Sequence, residues 1–498
     1  MTDHAGATTP EARSSSLAAL RSPAVLTRET LAGAVTALAL IPEVISFSFI
    51  TGVDPKSALI ASVVLGLIMS LLGGRPAMVT AAAGSVALVV GPMVKAHGVG
   101  YILPAVLLAG AVQIAFGLLG LARMTRFIPR SVMIGFVNSL GILIFLAQVP
   151  HVLNVSLPVY ALFALTVAIV LATPRLTTAI PAPLVAIVIV TAITIFGNLT
   201  VPNVGGEGSM APGLPGLTPF LVPLDLETLS IVWPTALSIA FVGLLETLLT
   251  AKLVDELTDT PSHKGKECWA LGLGNIASGF YGGVAGCAMI GQTVVNVKFG
   301  GGRTRISTAV AAIVMLALVT VLSDLMAQIP MVALAAVMMI VAIRTFNWRS
   351  VAPSTLKRMP VSETLVLALT TIVTVATGNL ALGIASGALL AMVLFARRVA
   401  HVIRVERTPS ADGASVRYTV YGPLFFGSSN DLVGRFSYGE DPAQVTIDLT
   451  HSQIWDASTV AALDSVETKY QARGSIVTFT GLDQRSTAFH ERLRGQLA

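Results

Sequence analysis

From Thr30 to the arginine pair at 397–398 the chain is a series of apolar runs separated by short Gly, Pro and Arg punctuation. Each run is close to the ~20 residues that a helix needs to cross ~30 Å of hydrocarbon. Twelve are clear: 30–50, 57–73, 101–121, 131–149, 158–173, 180–197, 231–251, 267–283, 305–322, 329–345, 361–377 and 379–396. Two further stretches, 78–90 and 284–297, are too short to span and are rich in Gly and Ala. The pattern predicts a polytopic α-helical membrane protein of fourteen elements, two of them broken. Composition agrees: 54% of residues are hydrophobic, 11% are charged, and mean hydropathy is +0.81, whereas about a quarter of the residues in a soluble domain carry charge.

The same numbers exclude a disordered chain. A net charge of +5 is too small to argue for nucleic acid. Two cysteines, Cys268 and Cys287, make neither a disulfide framework nor a four-ligand zinc site. No metal and no cofactor are called for. Residues 1–29 are polar and basic without a signal-peptide core, and read as a cytoplasmic tail. Basic residues then set the orientation. If each short element still crosses once, 22 of the 24 Lys and Arg up to Arg407 fall on the inner side, and only Lys56 and Lys95 fall outside. The longest external loop, 201–230, has no basic residue. These features place both termini in the cytoplasm.

The halves, about 30–200 and 230–400, match each other. Glu43 in the first span precedes Gly84 in the first short element by 41 positions, and Glu246 in the eighth precedes Cys287 in the second by 41. Seven elements per half is odd, so the halves run in opposite orientations. Inverted repeats of this kind hold a site at the bilayer midplane, between broken helices whose N-terminal dipole ends face an anion.

Ionisable groups inside the spans are few, and each costs at least ~2.5 kcal/mol at a helix centre. Glu43 lies 15 residues beyond Arg28, roughly 22 Å along a helix. Beside it, Pro42 removes a helix hydrogen bond. Glu43 reads as a proton carrier, or else as a carboxylate that only accepts a hydrogen bond from a neighbouring helix. Glu246 reads as a group that neutralises or hydrogen-bonds the ends of the short helices, or as a structural pair member. Gln292 supplies an uncharged amide, and Thr80 and Ser85 supply hydroxyls. Gly84, Gly286 and Gly291 let backbone N–H groups approach a ligand, or simply let helices pack closely.

After Arg404 the composition changes. Residues 405–498 carry strand signals at VRYTVYGPLFFG, VTIDLT and SIVTFTG, a helix signal from 458 to 473, and a final polar helix. This is a small α/β domain. No GxxxxGK[ST] loop is present, which disfavours an ATP-driven pump. No catalytic dyad appears on any span, so the chain is not read as an enzyme.

Four stretches carry a resemblance to a known family. They are IPEVISFSFITGVDPKSAL, FVGLLETLLTAK running on to KGKECWALGLGNIASGFYGG, GCAMIGQTVVNVKFGGGRTRIS, and YGPLFFG with IDLTHSQIWDASTVAALDSV. In this order they resemble the sulfate permease (SulP) anion transporters, the bacterial relatives of prestin and pendrin, with a C-terminal STAS domain. The resemblance implies core and gate domains, substrate between the third and tenth elements, a homodimer, elevator-like movement, and a STAS domain able to dock a cytoplasmic partner. It also implies a site of Glu43 as the proton-coupling residue, with Phe47, Gly84, Ser85, Glu246, Cys287, Ala288, Met289 and Gln292 around the substrate.

Within the family the resemblance points most to a bacterial, inner-membrane, proton-coupled dicarboxylate transporter of the fumarate type. The rival readings are a sodium-coupled bicarbonate or sulfate symporter, an anion exchanger, a passive anion channel, and a prestin-like voltage-responsive protein. Many members have Arg where this chain has Gln292. Sodium-coupled bicarbonate members have Asp where it has Thr250. The antagonist proteins' phosphorylatable turn is Asp456-Ala457-Ser458-Thr459 here.

Overall fold

The computed structural model describes residues 19–123, 128–176, 180–208, 216–400 and 402–496. Residues 1–18 of the expected tail, Arg126 of the basic cluster and 209–215 of the external loop lie outside them. Two compact units are present, Met1–Ala388 and Leu389–Ala498.

The first unit is helical. Its elements are α1 (Pro23–Thr51), α2 (Pro55–Leu72), strand β1 (Thr80–Ala82), α3 (Gly84–His97), α4 (Ile102–Leu118), α5 (Arg130–Gln148), α6 (Leu157–Leu176), α7 (Ala182–Phe196), α8 (Leu226–Thr258), α9 (Lys264–Gly279), strand β2 (Gly286–Ala288), α10 (Ile290–Val294), α11 (Arg305–Val321), α12 (Met331–Thr345) and α13 (Val361–Thr377). The long helix α14 (Leu380–Ala400) leads on into the second unit. The fourteen expected elements are therefore present, with α10 extended by a π turn, Val295–Phe299.

By length and composition, seven of these segments are long and apolar enough to cross a membrane, and four shorter helices are apolar. The ninth expected element, 267–283, is more polar than read. Helix α9 carries exposed Lys264 and Lys266 in its first turn, and buried Glu267 and Asn275 that find partners inside the bundle, as described below. Helices α1 and α8 are longer than their hydropathy indicates. The first starts at Pro23, where a missing N–H costs nothing in a first turn. The second runs past Lys252 to Thr258, because charged residues end an apolar run without ending a helix.

Packing sorts the elements into two groups. α4 lies against α9, α1 and α2 against α11, α2 against α9, and α4 against α8. Small residues allow the closest of these approaches: a Cβ added at Gly272 would stand 2.4 Å from the Gly110 carbonyl oxygen. In the other group α5 packs on α12 and α13, and α6 on α7 and α12. α14 meets α13 through Gly383 and Gly387, which face Thr374 and Thr370. Each group draws matching elements from the two halves, the arrangement expected of inverted repeats.

The second unit is a four-stranded sheet in the order β3 (Arg404–Pro409), β4 (Ser415–Leu424), β5 (Gln444–Ile454), β6 (Ile476–Thr480), antiparallel between the first two and parallel thereafter. Helices α15 (Phe426–Val433), α16 (Ala457–Gln471) and α17 (Gln484–Leu493) complete it. Alternating side chains such as Val416, Tyr418 and Val420 on β4 meet Leu463, Val466 and Tyr470 of α16 in the core. Two features differ from expectation. The strand read through YGPLFFG stops at Leu424, and its two phenylalanines open onto α15. β3, a charged edge strand, gave no apolar signal.

Asp441 anchors this domain. Its side chain is wholly buried and takes an ion pair from Arg407 at 2.8 Å. It also accepts hydrogen bonds from the hydroxyls of Tyr418 (2.6 Å) and Tyr470 (2.5 Å). Burial holds the Tyr470 phenol well above its ordinary range, so it stays a donor. Replacing Asp441 with Ala strands two phenols and a guanidinium, and is expected to cost about 3 kcal/mol. The denaturant midpoint of this domain's unfolding in the full-length protein measures it; an unchanged midpoint would refute the anchoring role.

Candidate functional site

Main-chain N–H and C=O groups inside a bilayer must find protein partners unless they line a water-filled site. The two short elements meet this demand by pairing with each other. β1 and β2 run antiparallel, with Thr80 opposite Ala288, Ala81 opposite Cys287 and Ala82 opposite Gly286, all buried. Small residues are required here: a Cβ at Gly286 would lie 2.1 Å from the Ala81 carbonyl oxygen. The chain then turns into α3 after Ala83 and into α10 after Met289, both without side-chain caps. Each short crossing is thus a strand followed by a half-helix, where the sequence suggested only a short helix. Three alternating residues are too few for a strand pattern to register.

Neighbouring helices bind the backbone that the two strands leave open. Ser62 Oγ on α2 accepts from Ala82 N at 3.0 Å. Thr247 Oγ1 on α8 accepts from Ala288 N at 3.1 Å, and Thr250 donates to Ala288 O at 3.4 Å. Thr293 Oγ1 accepts from Val79 N at 3.0 Å, and Met289 N donates to Val79 O at 2.8 Å. Asn275 on α9 accepts from Gly286 N (2.8 Å) and donates to Gly286 O (3.2 Å) and Gln113 Oε1 (2.8 Å).

The structure brings all nine sequence-derived residues to this crossing. Glu43 on α1 is partly exposed and faces Gln292 of α10. One turn on, Phe47 is buried with its ring on Gly84, where an added Cβ would stand 2.7 Å from Cε1. Helix α1 therefore touches both half-helices. Glu246 on α8 is buried and accepts from the Ser85 hydroxyl and from the Cys287 thiol, the latter at 3.1 Å. The Ser85 hydroxyl, one of the groups expected around the substrate, directs its proton at Glu246. Ala288 and Met289 are buried in the backbone network above, and Gly291 is exposed with open space beside its Cα. Thr80 Oγ1 is buried without a hydrogen-bond partner among the described residues.

Sequence reasoning missed Ser62, Gln113, Thr247, Asn275 and Thr293 as supporting groups. A polar side chain within an apolar run was the available signal. A second network joins the same elements at one end. Arg75 ion-pairs with Asp255 of α8 at 3.1 Å, and its backbone N donates to Glu267 of α9 at 2.8 Å. Buried Glu29 of α1 accepts from Arg303 N at 2.8 Å and from the Thr304 hydroxyl at 2.9 Å, ahead of α11. Among the described residues no group of three His, Cys, Asp or Glu could hold a metal.

Fold and crossing together define an inverted-repeat membrane transporter with a C-terminal mixed α/β, STAS-like domain. The sulfate permease family matches residues 26–159 and 150–370, and the chain belongs to that family. It is 44% identical over 467 residues to a Bacillus subtilis (strain 168) protein named "Putative sulfate transporter YbaR", covering 94% of this chain and 96% of that one. The transmembrane domain of a cyanobacterium bicarbonate transporter, BicA, superposes with a TM-score of 0.63 at 27% identity, covering 74% of this chain and 97% of that one. The murine Slc26a9 anion transporter, solved in the inward-facing state, shares the fold with a TM-score of 0.81 at 15% identity, over 94% of this chain and 87% of that one.

Removing the Glu246 carboxylate should show how far the crossing depends on it. Glu246→Ala leaves the Ser85 hydroxyl and the Cys287 thiol without their acceptor, an expected loss of about 2 kcal/mol. Glu246→Gln keeps one acceptor oxygen and should lose less. Thermal unfolding of the two variants in detergent tests this; equal melting temperatures for both and for the wild type would show that these bonds contribute nothing.

Proposed function

We propose that this protein is a secondary active transporter of a small oxyanion, sulfate or bicarbonate, which it holds where α3 and α10 begin. The observation that carries this reading is the pair of uncapped half-helix starts meeting at a strand crossing of small residues. Helix N-termini carry about half a positive charge each and present free N–H groups, so two of them at the ends of one short strand pair suit an anion. Gln292 adds amide donors without a fixed charge. The relatives reported are named for sulfate and bicarbonate, which favours those anions over the fumarate-type dicarboxylate that the sequence resemblance suggested.

Glu43 is the proposed coupling group. It stands on α1 between the half-helices, partly exposed and beside Gln292, so a proton taken up there offsets substrate charge and alters what the carboxyl offers to α10. The loaded group of α1–α4 and α8–α11 then moves relative to α5–α7 and α12–α14. Basic residues concentrated on one side support a cytoplasmic C-terminal domain in a bacterial inner membrane. The family resemblance supports a homodimer, with the STAS-like domain open to a cytoplasmic partner.

Proteoliposomes loaded with the purified protein should accumulate labelled sulfate or bicarbonate under an inward proton gradient, with fumarate as the competing substrate and sodium as the competing driving ion. Accumulation of fumarate alone would return the reading to dicarboxylates. A sodium requirement would replace the proton.

Glu43→Gln mimics the protonated carboxyl without its titration. The wild type should transport faster at acidic external pH, because uptake begins from the protonated form. The mutant should bind the anion, lose uphill transport and show a flat pH profile between pH 5 and about 8. An unchanged profile would make Glu43 structural and move the search to Glu246.

A further inference from the structure

We propose that Gln113 and Asn275 form a relay that positions β2, and through it the start of α10, for anion binding. This rests on the anion reading given above. β2 is held by three side chains from outside, and Asn275 is distinctive among them because it grips the N–H and the C=O of one residue, Gly286. An amide carries its acceptor and its two N–H donors on separate atoms, so it can take the N–H and the C=O of one residue and keep a further N–H for a second partner. The amide's remaining N–H goes to Gln113 Oε1 on α4. Gly286 cannot be secured by a side chain of its own, since any Cβ would run into Ala81.

Gln113 is the informative member. It is fully buried, and its Nε2 has no partner among the described residues, standing next to Gly243 of α8. A buried amide with an unmet donor is unfavourable for stability alone, and an apolar residue of similar length would serve the α4–α9–α8 packing better. What Gln113 does supply is the acceptor that fixes the Asn275 amide plane. The chain of contacts runs from α4 through α9 to the residue that opens β2, four positions ahead of Ile290, where α10 begins.

The test uses the full-length protein in lipid nanodiscs and compares Gln113→Met, Asn275→Ala and the double variant. Three quantities are read: melting temperature, hydrogen exchange over residues 284–294, and the dissociation constants for sulfate and bicarbonate. Q113M should melt at or above the wild-type temperature, yet exchange faster over 284–294 and bind the anion at least threefold more weakly. N275A should weaken binding by tenfold or more, and the double variant should bind no worse than N275A, because the two residues act in series. A Q113M protein that melts lower with unaltered exchange and affinity would make the residue structural and overturn the relay. Faster exchange with unaltered affinity would instead show that β2 is positioned but does not serve an anion, which refutes both the binding role inferred here and the placement of the site.

Discussion

Two strands of three residues meet in the middle of the helical unit, and the rest of that unit is arranged around the backbone they leave unpaired. Inside a bilayer no water can take an N–H or C=O that a helix does not use, and each one left open costs several kcal/mol. β1 and β2 answer part of this by pairing with each other. The remainder explains polar residues on helices that otherwise look uniformly apolar: Ser62 on α2, Thr247 and Thr250 on α8, Asn275 on α9. Each is buried, and each points at a specific atom of the crossing.

Close approach makes that arrangement possible. Gly286 admits the Ala81 carbonyl, and Gly110 and Gly272 let α4 and α9 touch backbone to backbone. The same helices are joined at one end by Arg75 with Asp255 and Glu267, and by Glu29 with the turn before α11. The group holding the crossing is therefore tied at its middle and at one end. The second group carries polar ties of its own, such as Asn138 of α5 to Ser350 and to the backbone of Asn347. Two internally braced bodies suit the movement proposed for transport, in which the site travels as a unit.

The C-terminal domain repeats the lesson with a different solvent. There a single buried carboxylate, Asp441, joins the edge strand β3 to β4 and α16 through Arg407, Tyr418 and Tyr470. Water outside lets the rest of the surface carry ordinary charge, so the composition changes sharply where this domain begins.

The helices were legible because a bilayer imposes length and hydropathy on each crossing. Charge asymmetry and the equal 41-residue spacings then indicated orientation and repeat. Glu43, Ser85, Glu246 and Gln292 stood out for the same reason: a polar group in an apolar run has a cause. What the residues could not reveal was which partner each had chosen. The strands are too short for a two-residue period. The Ser85 hydroxyl turns to Glu246, 161 positions away, and Asn275 depends on Gln113, 162 positions away. Those pairings arise only when the two inverted halves interlock, because hydrogen bonding is decided by distances of about 3 Å between atoms that the chain's own order leaves far apart.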